Sequence, residues 1–385
     1  MPLYAILSLT WGKDEISFQD IQEIQRGDTA PTRRAEYSKI ASIRAVAAAH
    51  GFDYVWIDTC CIDKMSSAEL SEAINSMFRW YQESTMCYAH LADVESSGPG
   101  LFADLPSADR IAIYHELAAS RWFTRGWTLQ ELIAPPMMIF LNSAGEEIGT
   151  KPHLGPVISK ITRIPEVILQ GADLETASIA QCMSWAAHRK TTRPEDIAYC
   201  LMGLFGISMP MLYGEGQMAF IRLQEEIIKV SSDHTIFAWG NRIQHIDSHS
   251  VASEPLGLLA RSPNDFESCH DVLPLNVVDS EANLSGIITV SNKGIHLELC
   301  LINNSGDNTH PQIAVLSCTF HSRRWGEWCP PQLMGIFVKE VPGTGDYFER
   351  RSSHLLHVDY YPHLPPSASD AAARRICVRR EYRRL

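Results

Sequence analysis

Short apolar runs alternate with longer amphipathic stretches over roughly the first 150 residues. The apolar runs predict buried strands at 4–9, 54–58, 86–91 and 137–141. Apolar residues at helical spacing predict helices at 37–50, 68–84, 109–119 and 128–134. Because strands and helices alternate, this region is predicted to be an α/β domain with a mostly parallel sheet.

The pattern changes twice further along the chain. Between about 150 and 232 it is almost purely helical, and amphipathic helices are predicted at 178–189, 194–205 and 216–230. Beyond residue 233, short runs separated by Gly, Asn, Pro and Ser predict a small antiparallel sheet or sandwich with strands at 235–239, 287–290, 295–299, 313–320 and 334–338. Asn292-Lys-Gly294 is a hairpin signal. We therefore predict an α/β domain at 1–150, a helical extension at 151–232 and a β-rich carboxy-terminal domain at 233–385.

Charge and composition narrow the class of protein. The chain has 33 basic and 45 acidic residues, a net charge of −12, which argues against binding nucleic acid through general electrostatics. Hydrophobic residues make up 45% and charged residues 20%, as is typical of a soluble globular protein. Residues 374–385 hold six arginines and one glutamate and are predicted to be a solvated basic end.

Signals for targeting and for metal binding are missing from the sequence. The amino terminus has no basic leader or cleavage site of a signal peptide. The uncharged stretch 197–214 is interrupted by Gly203, Gly206 and Pro210, so a buried helix and a loop are predicted rather than a membrane span. The ten cysteines include no CxxC pair and are predicted to be reduced thiols. We expect a cytoplasmic protein with no membrane span, nucleic-acid partner, metal or resident cofactor.

Candidate chemistry follows the predicted strands, because ligands of open α/β sheets bind at the carboxyl ends of the strands. The candidate segments are 8–12 after the first strand, 58–63 after the second, Asp93 after the third, and 120–131. Trp127 and Glu131 are four residues apart and so share one face of a short helix. An acid beside an indole can grip a flat cationic ring and stabilise positive charge that develops during bond cleavage.

Each candidate has a structural alternative. Asp58 and Asp63 are also suited to cap turns or helices. Cys60 and Cys61 are also suited to be small buried hydrophobes, since no adjacent His or basic group would lower a thiol pKa. Trp122 and Trp127 are alternatively core anchors, and Arg121 and Arg125 are alternatively partners of structural acids.

Three ordered segments resemble the signature blocks of the fungal heterokaryon incompatibility (HET) domain. They are Tyr4-Ala-Ile-Leu-Ser-Leu-Thr-Trp-Gly12, Tyr54-Val-Trp-Ile-Asp-Thr-Cys-Cys-Ile-Asp-Lys64 and Arg125-Gly-Trp-Thr-Leu-Gln-Glu131. Segments 184–203, 213–216 and 219–224 resemble the extension that follows the domain in many family members. One departure is Leu9, where the family commonly carries Tyr or His.

The resemblance implies an effector of programmed cell death in fungal non-self recognition. HET domains have been proposed as remote relatives of the Toll/interleukin-1 receptor (TIR) domain, which implies a TIR-like or flavodoxin-like sheet. Some TIR domains cleave NAD with a glutamate four residues after a tryptophan. By this analogy Glu131 is the catalytic candidate and NAD the candidate substrate. The candidate substrate-binding residues are Ser8, Trp11, Gly12, Asp58, Cys61, Asp63, Arg125 and Trp127.

Two other functions remain open at this point. One is a non-catalytic signalling module that self-associates or binds an incompatibility partner protein, with Trp127 and Glu131 structural. The other is an enzyme of secondary metabolism that acts on a different small molecule on the same scaffold.

Overall fold

The fold is available as a computed structural model. It describes residues 2–96, 107–243, 255–275, 287–302, 311–320, 323–324, 327–328, 332–358 and 374–379. Contacts divide the chain into two compact units. Unit 1 comprises Met1–Leu174 and Arg189–Gly214, and unit 2 comprises Glu175–His188 and Glu215–Leu385. The domain boundaries that the sequence predicts at residues 150 and 232 remain predictions. Cys329 and residues 380–385 lie outside the described residues. The prediction of a solvated basic end at 374–385 is wrong for Arg374–Val378, which form a strand in which Ile376, Cys377 and Val378 are buried.

The described residues form ten α-helices and fifteen β-strands. The helices are α1 Phe18–Gln25, α2 Tyr37–Ala49, α3 Ser67–Glu83, α4 Ser107–Ala119, α5 Thr128–Ile133, α6 Lys151–Thr162, α7 Glu166–Leu169, α8 Ile179–Ala186, α9 Asp196–Tyr199 and α10 Met218–Val230. The strands are β1 Ala5–Leu9, β2 Val55–Ile57, β3 Met86–His90, β4 Met138–Leu141, β5 Glu147–Thr150, β6 Asn241–Ile243, β7 Val272–Pro274, β8 Thr289–Val290, β9 Ile295–Ile302, β10 Gln312–Phe320, β11 Arg323–Arg324, β12 Glu327–Trp328, β13 Gln332–Glu340, β14 Tyr347–Val358 and β15 Arg374–Val378.

Unit 1 is built on a five-stranded sheet in the order β2-β1-β3-β4-β5. The first four strands of this order are parallel, and β5 runs antiparallel to β4 at the edge. The predicted α/β architecture with a mostly parallel sheet is therefore confirmed. The order places β1 inside the sheet, with β2 and β3 on either side.

The alternation of side chains along β1 positions the chemistry of unit 1. All five residues of the strand are buried, as expected for a parallel strand covered on both faces. Leu7 and Leu9 belong to the apolar cluster that includes Ile40 and Ile43 of α2. Because successive side chains point to opposite faces of a sheet, Ser8 points away from this cluster.

The predicted helix at 194–205 is wrong in its length. The structure has the single turn α9, followed by a 3₁₀-helix at Met202–Phe205. Gly206, with φ 62°, ends the 3₁₀-helix in the left-handed conformation that glycine adopts easily. A Cβ on Gly203 would lie 2.2 Å from the Cβ of Phe78, so the backbone packs directly on α3.

Unit 2 contains an eight-stranded sheet in the order β7-β10-β13-β14-β15-β9-β8, with β6 paired to β14. An additional pairing joins β9 to β10. The strands pair antiparallel except that β14 runs parallel to both β6 and β15. The β-rich carboxy-terminal part and its hairpin are confirmed, because Val290 pairs with Ile295 across the predicted turn.

The strand predicted at 235–239 is wrong. Residues 235–237 belong instead to a 3₁₀-helix, His234–Phe237. The carboxylate of Asp233 accepts hydrogen bonds from the backbone N–H and the hydroxyl of Thr235, both at 2.8 Å. A side-chain cap of this kind favours a helical turn over an extended strand.

Candidate active site

Glu131 is buried beside the carboxyl end of β1, with only 5% of the residue exposed. The hydroxyl of Ser8 donates a hydrogen bond to its carboxyl and accepts one from the indole N–H of Trp122 at 2.8 Å. The hydroxyl of Tyr81 bonds to the Glu131 carboxyl and donates to the carbonyl of Leu7 at 3.1 Å. Side chains from β1 and α3, with an indole between α4 and α5, therefore fix the position of this one acid.

The surroundings of Glu131 favour the protonated, neutral form of its carboxyl. Burial raises its pKa to about 8, and the nearby charge of Asp58 acts in the same direction. Hydrogen bonds from Ser8 and Tyr81 and the charge of Arg125 oppose this rise.

Arg189 and Thr128 hold the start of α5, the helix that carries Glu131. The Thr128 hydroxyl donates to the carbonyls of Trp122 and Arg125, the latter at 2.9 Å. The buried guanidinium of Arg189 donates to the same Arg125 carbonyl at 2.9 Å and to the Thr128 hydroxyl at 3.1 Å. A buried cation is thus used to fix the turn that precedes the catalytic candidate.

The backbone of residues 189–192 lies against the turn before α5. The N–H of Gly126 donates to the carbonyl of Lys190 at 2.9 Å, and the N–H of Lys190 donates to the carbonyl of Thr124 at 2.7 Å. A Cβ on Gly126 would lie 2.5 Å from the Cγ2 of Thr191. Glycine at this position therefore permits the two chain segments to approach closely.

A cavity of about 400 Å³ opens above Glu131 in unit 1. Three acids and three cations line it: Asp58, Glu131, Asp196, Lys64, Arg125 and Arg193. Its aliphatic wall consists of Leu9, Ile62, Leu70, Ile74 and Met77. Its aromatic residues are Trp11, Trp127 and Tyr213. The volume is in the range of small-molecule sites, and the lining fits a ligand with a planar ring and charges of both signs.

One side of the cavity is formed by Trp11, Asp58 and Lys64. The indole N–H of Trp11 donates to the carboxylate of Asp58 at 2.8 Å. The Lys64 ammonium lies 3.7 Å from the centroid of the Trp11 ring. Burial raises the pKa of Asp58, whereas the charge of Lys64 and the bond from Trp11 oppose that rise. The contacts hold the indole although about half of Trp11 is exposed.

A second indole in the cavity is held in a similar way. The carboxylate of Asp196 accepts hydrogen bonds from the Trp127 indole and from the Tyr213 hydroxyl, the latter at 3.0 Å. The guanidinium of Arg193 lies 4.3 Å from the centroid of the Tyr213 ring. Burial raises the pKa of Asp196, against the hydrogen bonds of both aromatic residues. Each indole therefore has its N–H satisfied by a carboxylate of the same cavity.

Thr192, Arg193, Asp196 and Tyr213 were missed as site residues by the sequence analysis. They lie in segments that resemble the extension after the HET domain, about 60 to 80 residues beyond Glu131 in the chain. The sequence feature that could have identified them is the cluster of charged and aromatic side chains within those segments.

Six of the nine sequence-predicted site residues come together at the cavity. Trp11, Asp58, Arg125, Trp127 and Glu131 line it. Ser8 contacts the Glu131 carboxyl from beneath. Arg121 and Arg125 lie in the same segment but have different contacts. Arg125 lines the cavity, whereas Arg121 forms an ion pair with Asp93 at 3.5 Å.

Gly12 and Asp63 are absent from the cavity lining, and both have local contacts instead. The N–H of Gly12 donates to the carboxylate of Glu15 at 2.7 Å, and a Cβ there would lie 2.6 Å from a carboxylate oxygen of Glu36. Asp63 accepts hydrogen bonds from the backbone N–H of Met65 at 3.0 Å and from a glutamine side chain at 2.7 Å. This is the turn-capping arrangement that the sequence left open for Asp63.

Cys61 packs against the apolar cluster on the α2 face of the sheet and is absent from the cavity lining. A hydrogen bond from Cys60 lowers the pKa of the Cys61 thiol to about 7, and the Ile57 N–H, 3.4 Å from its sulfur, acts in the same direction. Cys60 is itself buried in the cluster.

Nine cysteines within the described ranges are free thiols. In those ranges, no group of three or more His, Cys, Asp and Glu side chains is arranged to hold a metal ion. Among the helices that the structure describes, none has the length and apolar character needed to cross a membrane.

Comparisons with known proteins relate two ranges of the chain to described families. Residues 4–131 match the family described as Heterokaryon incompatibility protein (HET), and residues 218–329 match a domain of unknown function, DUF8212. No solved structure shows a significant match to the chain.

Over 233 residues the chain is 42% identical to the vegetative incompatibility protein HET-E-1 of Podospora anserina. The aligned region covers 60% of this chain and 16% of that relative, so the chain spans only a small part of the relative's length. The family match begins at Tyr4, just before β1, and ends at Glu131, and it contains all three signature blocks. Residues 4–131 are therefore a HET domain, and the chain is a HET-domain protein.

Proposed function

We propose that this protein is an effector of fungal non-self recognition that triggers programmed cell death, and that unit 1 hydrolyses NAD with Glu131 as the catalytic residue. The observation that carries the proposal is the placement of a buried glutamate, two indoles and three cations in one cavity. The similarity to a vegetative incompatibility protein supports the biological role.

The sheet of unit 1 supports a TIR-like or flavodoxin-like assignment. Its order, β2-β1-β3-β4-β5, is the order of flavodoxin-like doubly wound sheets. Glu131 lies on a short helix after β3, four residues beyond Trp127, as in the NAD-cleaving TIR domains to which the family has been related. The antiparallel β5 is a departure at the sheet edge.

In the proposed reaction the bond between the ribose C1′ and the nicotinamide nitrogen breaks, and its electron pair leaves with nicotinamide. The positive charge of the pyridinium ring thereby passes to an oxocarbenium-like ribose, which an ionised Glu131 stabilises. Water then adds to C1′ and releases a proton. Trp127 lines the pocket beside the ring, whose positive charge suits an indole face.

Binding of the cationic ring also ionises the acid that the reaction needs. A positive charge near a carboxyl favours its charged form, so bound NAD lowers the pKa of Glu131 from about 8. In the free site the neutral form of Glu131 is favoured, and bound NAD shifts Glu131 to its carboxylate form.

The experiment compares wild-type protein with Glu131→Gln and with the matched control Glu23→Gln on the exposed surface of α1. Each full-length protein is incubated with NAD at high protein concentration with a crowding agent, and nicotinamide release is followed by chromatography. We expect release by wild type and Glu23→Gln and none by Glu131→Gln. Equal release by Glu131→Gln, or none by any folded variant, would refute catalysis by Glu131 and favour a non-catalytic module or another substrate.

A further inference from the structure

Arg125 and Arg193 line the cavity without a carboxylate partner. Neither guanidinium forms an ion pair within the part of the chain that the structure describes, whereas the neighbouring Arg121 pairs with Asp93. Since the whole chain carries a net charge of −12, two unpaired arginines in one cavity are a local exception. A guanidinium that forms no ion pair with a protein acid keeps donors available for an anionic ligand.

The two arginines are held close together by the contacts between residues 124–126 and 190–192. Arg125 donates from Nη2 to the hydroxyl of Thr192 at 3.3 Å, so its guanidinium reaches the residue next to Arg193. Arg193 stacks on Tyr213, and Tyr213 is fixed in turn by its bond to Asp196. These contacts order both side chains before a ligand arrives, which lowers the entropic cost of binding.

We propose that Arg125, Thr192 and Arg193 form an anion subsite that binds the diphosphate of the ligand. The planar guanidinium fork matches phosphate oxygens and can bind them in bidentate fashion, and the Thr192 hydroxyl adds a donor. This inference deepens the proposed function and rests on it for the identity of the substrate. The diphosphate of NAD occupies this subsite, while the nicotinamide end reaches Glu131.

The subsite also assigns a task to the segment 189–214. The match to the HET family ends at residue 131, yet Thr192 and Arg193 of the subsite and the tyrosine that orders Arg193 come from beyond it. The HET domain supplies the acid and Arg125, and the later segment supplies two of the three groups that select a phosphorylated ligand.

The test measures binding separately from hydrolysis. Isothermal titration calorimetry with inorganic pyrophosphate and with ADP-ribose is performed on full-length wild type, Arg125→Gln, Arg193→Gln and the surface control Arg44→Gln. Each removed guanidinium loses charge-assisted hydrogen bonds, so we expect affinity for both probes to fall about 10- to 100-fold in the two cavity variants. Arg44→Gln should bind like wild type.

A second readout separates this inference from the hydrolysis proposal. If NAD is hydrolysed, the cavity variants should raise the KM for NAD more than the KM for nicotinamide riboside, which has no phosphate. If no variant hydrolyses NAD but pyrophosphate binding depends on the two arginines, the result would support the subsite and reject NAD as the substrate. Wild-type protein that binds neither probe, or cavity variants that bind both as wild type does, would overturn the subsite even if NAD is cleaved.

Discussion

Glu131→Gln should change how the stability of the protein depends on pH. The folded protein binds the Glu131 proton with a pKa of about 8, whereas the unfolded chain releases it near the ordinary value of 4.5. Because the folded pKa is raised, the contribution of this proton to stability is fully present below about pH 4.5. It is lost as the pH rises through 8.

The size of the effect follows from the width of this pH window. Each pH unit between the two pKa values costs about 1.4 kcal/mol of folding free energy. Between pH 5 and pH 8.5 the wild type should therefore lose about 4 kcal/mol through Glu131 alone. Glutamine at this position does not titrate, so the Glu131→Gln variant should lack this part of the pH dependence.

Urea unfolding of wild type, Glu131→Gln and the control Glu23→Gln at pH 5 and pH 8.5 measures this difference. The control retains the buried acid and should follow wild type, and titrations elsewhere in the protein cancel in the comparison. A free energy of unfolding that falls equally in wild type and Glu131→Gln would refute the reasoning, because it would show that the Glu131 pKa is not raised by folding.

Three further outcomes are expected. Gly126→Ala should destabilise the protein by about 1–3 kcal/mol in urea unfolding, since its Cβ meets Thr191, and Thr191→Ser should restore part of the loss by removing the contacting methyl group. Arg350→Met in unit 2 should cost several kcal/mol in the same assay, because the fully buried guanidinium donates to three backbone carbonyls at 2.6–3.0 Å that would lose their donors. If NAD is the substrate, kcat/KM should rise with pH with an apparent pKa near 8, as the free enzyme ionises Glu131, and a profile that is flat between pH 6 and 9 would contradict this.

The sequence was sufficient for most of the unit 1 sheet because its strands are short, apolar and separated by amphipathic helices. It was insufficient for α6, where Gly155 and Pro156 interrupt the helical pattern although the helix forms. It was also insufficient at Thr235, where β-branched and aromatic residues predicted a strand and the Asp233 cap selects a 3₁₀-turn instead. At this position the hydrogen bonds from Thr235 to Asp233 outweigh the local strand propensity.

For the site, the four-residue spacing of Trp127 and Glu131 pointed to two residues of the cavity, because α5 begins directly after Trp127. The same reasoning was unable to reach Asp196 or Arg193, since the contacts that bring them to the cavity join segments far apart in the chain. It also grouped Asp63 with Asp58, whereas the fold uses one carboxylate in a turn and the other in the cavity. Proximity in sequence does not fix the direction of a side chain after a strand.

The pairing of residues 190–192 with the turn before α5 limits how this protein can be recombined. A gene segment that stops after residue 131 encodes the catalytic candidate but leaves out the chain that bonds to Gly126 and the aromatic wall around Tyr213. The chain also leaves unit 1 at residue 174 and returns at residue 189, so one crossover cannot separate the two units. A breakpoint between residues 131 and 214 would therefore take parts of this cavity from two different genes.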